Sequence, residues 1–233
     1  MDMDRYSVVD TKRKREIVLL RGSGCVYKRC TFCDYHLDRC DDEDANFALN
    51  AEVLAHVTGC YGDLEVINSG SVFELDMRTL ALIKQICAEC GITTLHFESH
   101  WLFHKRIEAL RAEFAPIALK MKLGLESFDP ALREDVLKKG IAETDPAVIA
   151  RDFDEANMLV GITGQTRESL QRDFELGLEH FERLCVNVMC PNTTPVKPDQ
   201  AVIELFMREF YPALEANPRV DVLVNNTDFG VGA

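Results

Sequence analysis

No stretch of this 233-residue chain approaches the ~20 consecutive apolar residues of a membrane-spanning helix, so no membrane anchor is expected. The opening run MDMDRYSVVDTKRKR has no apolar core of the kind a secretory leader carries, and a cytoplasmic protein is expected. Positive charge is in short supply. Against 39 Asp and Glu stand 26 Lys and Arg, a net charge of −13 that repels phosphate and excludes a nucleic-acid partner from the expectation. The short basic run Lys12–Arg15 reads as a solvated lead into a strand. Low-complexity linkers and visible repeats are missing as well. What is left is an ordinary globular composition, long enough for one sizeable α/β domain acting on a small molecule, a cationic one included.

Cysteine is plentiful by contrast. The nine cysteines are an odd number without a leader, which favours free thiols and metal ligands over a disulfide framework. Cys25, Cys30 and Cys33 lie in GCVYKRCTFCDYH, directly after the apolar run Ile17–Leu20. Three thiolates in one loop can hold three irons of a 4Fe–4S cluster and leave the fourth iron open. S-adenosylmethionine (SAM), through its amino and carboxylate groups, is the natural occupant of that open iron. The alternative is zinc, with Cys40 or His36 completing a four-ligand set. Cys60, Cys87, Cys90, Cys185 and Cys190 read as core or incidental thiols, a second cluster being the other option. His100 and His104, at helical spacing, could bind a metal but have no further ligands nearby in sequence.

Strand and helix patterns alternate along the chain. Strands are expected at Ile17–Arg21, Leu64–Asn68, Thr93–Glu98, Ala118–Leu125, Asn157–Ile162, Val186–Met189 and Val220–Val224. Helices are expected at Ala51–Cys60, Asp76–Cys90, Trp101–Phe114, Pro130–Lys139, a short one after Asp145, Glu168–Leu184 and Asp199–Leu214. Alternation of this kind gives a parallel sheet with right-handed crossovers. Nearly every strand ends in polar or glycine-rich residues (GSGC, NSGS, FESH, LES, TGQT, PNTT, NNTD), as strands do when a (β/α) barrel builds its site. The expected fold is therefore α/β, a partial (β/α)6-type TIM barrel open on one side, with an extra C-terminal strand. A single domain over residues 1–233 is expected, with residues 16–195 as the barrel core and 196–233 as a C-terminal helix and strand closing the substrate site.

These motifs resemble the radical SAM superfamily, whose signature is C-x3-C-x-aromatic-C after the first barrel strand. Here the first gap has four residues instead of three, and Phe32 fills the aromatic place. Asn68, Ser69, Gly70 and Ser71, with Glu74 just beyond, resemble the second-strand motif that contacts the methionine amino group. Gly124-Leu125-Glu126-Ser127 resembles the fourth-strand motif that holds SAM, and Gly161–Thr166, with Gly164, the fifth-strand loop near the adenine. The resemblance implies a 4Fe–4S cluster on Cys25, Cys30 and Cys33. It implies SAM contacts from Phe32, Asn68, Ser69, Gly70, Ser71, Glu126, Ser127 and Gly164. It also implies reductive cleavage of SAM to a 5′-deoxyadenosyl radical, with flavodoxin or ferredoxin as electron donor.

Within that superfamily, RGSGCVYKRCTFCDYHLD is similar to the queuine lyases of bacterial queuosine salvage, which cleave the C–N bond of queuine to 7-aminomethyl-7-deazaguanine. Queuine carries an ammonium and a guanine-like edge, which want carboxylate or amide partners. The candidates are Glu98, Asn192, Asn225, Asn226 and Asp228, with Asp228 preferred. Other readings stand beside this one. One is a radical SAM isomerase, epimerase or methylthio-type transferase, and another is a non-enzymatic iron–sulfur or zinc protein.

Overall fold

The computed structural model describes residues 4–225. They divide into two compact units, residues 4–28 with 35–121 and residues 29–34 with 122–225. The cysteine loop changes unit within itself.

In the first unit, β1 (Tyr6–Val9) runs antiparallel to β2 (Arg15–Leu20), whose six residues are all buried. The sequence did not suggest β1. It is four residues long, flanked by charge and only partly buried, so its apolar pattern is weak. It is pinned where the Tyr6 hydroxyl donates to Glu16 (2.7 Å), a carboxylate that also accepts from the Thr58 and Gly59 backbone. Helix α1 (Glu43–Leu54) starts well before the expected Ala51–Cys60. Asp42 caps it by accepting from the amides of Asp44 and Ala45, and Glu43 and Asp44 lie in its first turn. An acidic run that reads as loop is here a helix start, because carboxylates suit the positive end of the helix dipole.

Strand β3 (Asp63–Asn68) is followed by α2 (Met77–Glu89), capped by Asp76, then by β4 (Thr94–Ser99). The expected helix at Trp101–Phe114 is a 3-10 segment over Trp101–Arg106 leading into α3 (Ile107–Phe114). The order is β1-β2-β3-β4, with β2, β3 and β4 parallel. Leu64, Val66, Leu95 and Phe97 are fully buried on one face, where Phe97 meets Phe114 edge-on at 5.4 Å. The opposite face carries charge, with Arg15 bonded to Glu65 at 2.5 Å.

Strand β5 (Ala118–Glu126) begins in the first unit and ends in the second. The second unit continues with a π-helical segment at Ala131–Val136, then α4 (Pro146–Ala150) with Asp145 as cap. Next come β6 (Glu155–Val160), α5 (Arg167–His180) and β7 (Arg183–Val188). The expected helix Glu168–Leu184 overruns. Phe181 is already extended, and β7 starts at Arg183. The expected helix Asp199–Leu214 is two, α6 (Gln200–Glu209) and α7 (Tyr211–Ala216), since Pro212 cannot continue α6 and instead sits in the first turn of α7. Strand β8 (Val220–Leu223) closes the order β5-β6-β7-β8, all parallel.

Leu184 packs against Gly177 of α5 on the helix-facing side of this sheet. The other side carries a buried ion network in which Arg183 bonds both Glu155 (2.6 Å) and Asp221 (2.8 Å). On that same side, by strand alternation, lie Asn157 of β6 and Asn187 of β7, both half-buried.

Candidate cofactor and substrate site

The first unit carries Gly22–Lys28 and the ends of β2, β3 and β4. Gly24 takes φ +89 and lies under the Arg39 side chain, so the loop turns sharply into Cys25. Glu74 fixes the next residues. One carboxylate oxygen accepts from the Val26 amide and the other from the Ser71 amide, each at 2.5 Å. Burial pushes the Glu74 carboxyl above its usual range, against the pull of those two amides. A Cβ at Gly70 would collide with Glu74 and come within 3.2 Å of the Cys25 backbone. The second-strand motif thus sits directly under the first cysteine.

The side chains of that motif are largely engaged within the protein. The Ser69 hydroxyl donates to Asp38 (2.9 Å), itself paired with Arg5, and Ser71 Oγ lies 3.0 Å from Ser99 Oγ. Asn68 donates from its Nδ2 to the Ser71 carbonyl (3.0 Å), while its buried Oδ1 finds no donor among the described residues. A buried acceptor of this kind wants an N–H from a ligand. Glu98 is half-buried on β4, two residues along the same face from His96. His100 and His104 do not form a metal pair. The former stacks on Tyr27 at 4.3 Å and accepts from the Leu102 amide, and the latter stacks on Trp101 at 4.4 Å.

In the second unit the rest of the cysteine loop is tied down along its length. Thr31 bonds the carbonyls of Leu137 and Val136, and Asp34 accepts from the Thr193 amide and hydroxyl. Asn192 donates to the Phe32 carbonyl (2.7 Å) and accepts from Thr194. Its amide is a fastener of this loop, with both ends engaged inside the protein. Phe32 packs with Leu132, Leu137, Leu159, Ile162 and Met189, and Cys30 and Cys33 lie against that apolar cluster.

Strand β5 ends in a register shift between Gly124 and Glu126, and Glu126 takes φ +72. A non-glycine residue held there is strained, and such strain concentrates at functional sites. The buried carboxylate is met by Lys139 at 2.9 Å, whose ammonium also lies 5.4 Å from the centroid of Phe32. Burial works against that charge, but Glu126, Cys30 and Cys33 together hold Lys139 protonated above its usual range. Ser127 is fully buried and donates to Asp173 (2.7 Å), so its hydroxyl supports the strand end. Gly164 is an exposed turn glycine with φ +100, and Asn225 is exposed just after β8. Asn226 and Asp228 lie outside the described residues.

Sequence reasoning missed Lys139, Asp173, Asn157 and Asn187. The signal was there for the asparagines, as polar residues inside otherwise apolar strands. Lys139 follows the π-helical segment, and nothing local distinguishes it.

The donor chemistry fits an iron–sulfur cluster. All nine cysteines are free. Two of the three in the loop rest on an apolar bed with a cation beside them, which shields and neutralises an anionic cluster. No three His, Cys, Asp or Glu side chains among the described residues gather as the shell of a single metal ion. Cys87 is buried, and burial together with neighbouring Cys90 pushes its thiol up to about 12, which disfavours the thiolate a metal needs. Among the described residues no helix is long and apolar enough to cross a membrane.

No family model matches the chain, and no curated protein does. A solved structure does, the queuine lyase from Clostridium spiroforme bound to SAM and queuine. It is 43% identical, with 100% of each chain covered and a TM-score of 0.95. The shared fold is the α/β partial barrel expected from the sequence, with one more strand, β1, than was foreseen. With that identity over the full length of both, the chain belongs to the queuine lyase family of radical SAM enzymes.

Proposed function

We propose that this protein cleaves the C–N bond of queuine, releasing 7-aminomethyl-7-deazaguanine. The observation that carries the reading is its full-length likeness, at 43% identity, to a queuine lyase with SAM and queuine bound. Cys25, Cys30 and Cys33 would hold a 4Fe–4S cluster. Bound there, cluster and SAM would supply a 5′-deoxyadenosyl radical that abstracts hydrogen from the substrate.

The residues around them have assignable tasks. The Asn68 Oδ1 acceptor and the Ser69–Gly70–Ser71 backbone receive the methionine end of SAM. Phe32 lines the cluster side, Glu126 and Ser127 form the strand end that holds SAM, and Gly164 gives the adenine its turn. Glu98 and Asn225 are substrate residues, joined by Asn157 and Asn187, whose amides match a guanine-like edge. Asn192 acts by holding the loop that carries Phe32. Asn226 and Asp228 keep their assignment to substrate from the sequence alone. The reductant is a one-electron carrier of the flavodoxin or ferredoxin kind. The protein works in the cytoplasm on a free small molecule, without nucleic acid or membrane, as one functional domain whose C-terminal segment closes over substrate.

The test is an anaerobic incubation of reconstituted protein with SAM, dithionite and queuine, read by mass spectrometry. Joint appearance of 5′-deoxyadenosine and 7-aminomethyl-7-deazaguanine is expected. 5′-Deoxyadenosine with queuine untouched would overturn the substrate assignment.

A further inference from the structure

We propose that an aromatic and basic collar next to Cys25, in the first unit, is the docking surface for an acidic one-electron carrier protein. This rests on the functional reading above, which requires an electron that no group in the chain supplies.

The collar is built from three pieces that touch. The ring of Tyr27 stacks on His100 at 4.3 Å, joining the cysteine loop to residues 100–106. Phe103 of that segment meets Phe73 at 5.3 Å, and the Arg106 guanidinium lies over the Phe73 ring at 4.4 Å. Glu74, next to Phe73, bonds back to the Val26 amide. Val26 and Leu102 are 63% and 58% exposed, large values for apolar side chains, and Lys28, Lys105 and Arg106 are exposed around them.

Charge identifies the occupant. The chain as a whole carries −13, yet residues 22–28 and 100–106 contain no Asp or Glu. The one carboxylate among the contacting pieces, Glu74, is turned inward onto two backbone amides. A second basic run, Lys12–Arg15, is satisfied differently, since Arg13 pairs with Asp63 and Arg15 with Glu65. The collar therefore presents cations and apolar surface to solvent on a protein whose net charge is −13. Apolar contacts ringed by one sign of charge suit a transient electron-transfer encounter with a partner of the opposite sign. The position suits it too, because Val26, Tyr27 and Lys28 follow Cys25 directly, keeping the transfer distance short. In the step itself the carrier loses one electron and the cluster gains it, with no bond made or broken.

The test uses an acidic flavodoxin as probe. Its binding to the full chain, metal-free and reconstituted, is measured by fluorescence anisotropy at low and physiological salt. The variant K28E/K105E/R106E is expected to raise Kd at least tenfold at low salt, while K12E/K14E/K84E, with the same change in net charge, shifts it far less. Equal weakening by the two variants, or no weakening by the first, overturns the proposal. Dithionite-driven queuine cleavage by K28E/K105E/R106E should equal that of the parent. If that chemical reductant gives no cleavage in either protein, the lyase reading fails, whatever the binding data show.

Discussion

The ammonium of Lys139 and the carboxylate of Glu126 form a buried ion pair at 2.9 Å, with Glu126 held at φ +72 at the very end of β5. A pair like this adds little net stability over apolar packing, because both charges are desolvated. Removing one partner is another matter, since the remaining charge is left alone in an apolar site. Lys139→Met is expected to destabilise the metal-free protein by about 3–5 kcal/mol. The double variant Lys139→Met/Glu126→Leu should recover most of that loss. Urea unfolding of the four proteins in the cycle reads the coupling directly, and additive losses would show that the pair does not interact.

How far the pair was legible in the sequence is instructive. Glu126 stood out, because a carboxylate following an apolar strand at the cysteine end is unusual. Lys139 did not, since its place beside Glu126 depends on a π-helical segment that reads as an ordinary helix from Pro130. The same division holds more widely. Strand ends were legible because parallel strands are long apolar runs broken by glycine and polar residues. Strand β1 and helix α1 were not, because β1 is placed by its pairing with β2 and the Tyr6–Glu16 bond, and α1 by an acidic cap with little apolar periodicity behind it. The motif serines were legible as a motif, but Ser69 and Ser71 turn their hydroxyls to Asp38 and Ser99, which only a structure reveals.

Asp173 sets a pH dependence. Burial pushes its carboxyl from the ordinary 3.8 up to about 6, although it accepts from the Ser127 hydroxyl and the Phe128 amide. Between those values the folded state binds more protons than the unfolded one, so stability falls as pH rises through the window and then levels off. Asp173→Asn removes the titration. The stability of the parent relative to this variant should drop by up to about 3 kcal/mol between pH ~4 and pH ~7, as measured by urea midpoints. A difference that stays flat across the window would show that Asp173 is ionised throughout.

Two glycines separate local strain from site geometry. Gly91 takes φ +68 with open space around it, so Gly91→Ala should lose about 1 kcal/mol and leave iron uptake unchanged. Gly70 has no left-handed backbone, but a Cβ there would strike Glu74 and crowd Cys25. Gly70→Ala should therefore lower the iron bound per chain after reconstitution, by half or more, at a comparable loss of stability. If both variants take up iron like the parent, the second-strand motif does not position the cysteine loop.

The half-buried asparagines of β6 and β7 give the sharpest test of substrate recognition. Asn157 and Asn187 share the face that carries the Glu155–Arg183–Asp221 network, where Arg183 bonds both carboxylates. Moving along the strands, that network gives way to the two amides, and among the described residues the Asn187 side chain makes one bond, a long one of 3.4 Å to the Cys185 carbonyl. An amide so weakly engaged can turn to a ligand at little cost. Losing one such bond to the substrate is worth about 1–1.5 kcal/mol, so Asn187→Ala should raise the KM for queuine about tenfold. SAM affinity, measured by equilibrium binding without queuine, should stay within twofold, because a residue that reads the base has no part in holding the cofactor. Parallel loss of SAM and queuine binding would instead mean that Asn187 supports the sheet.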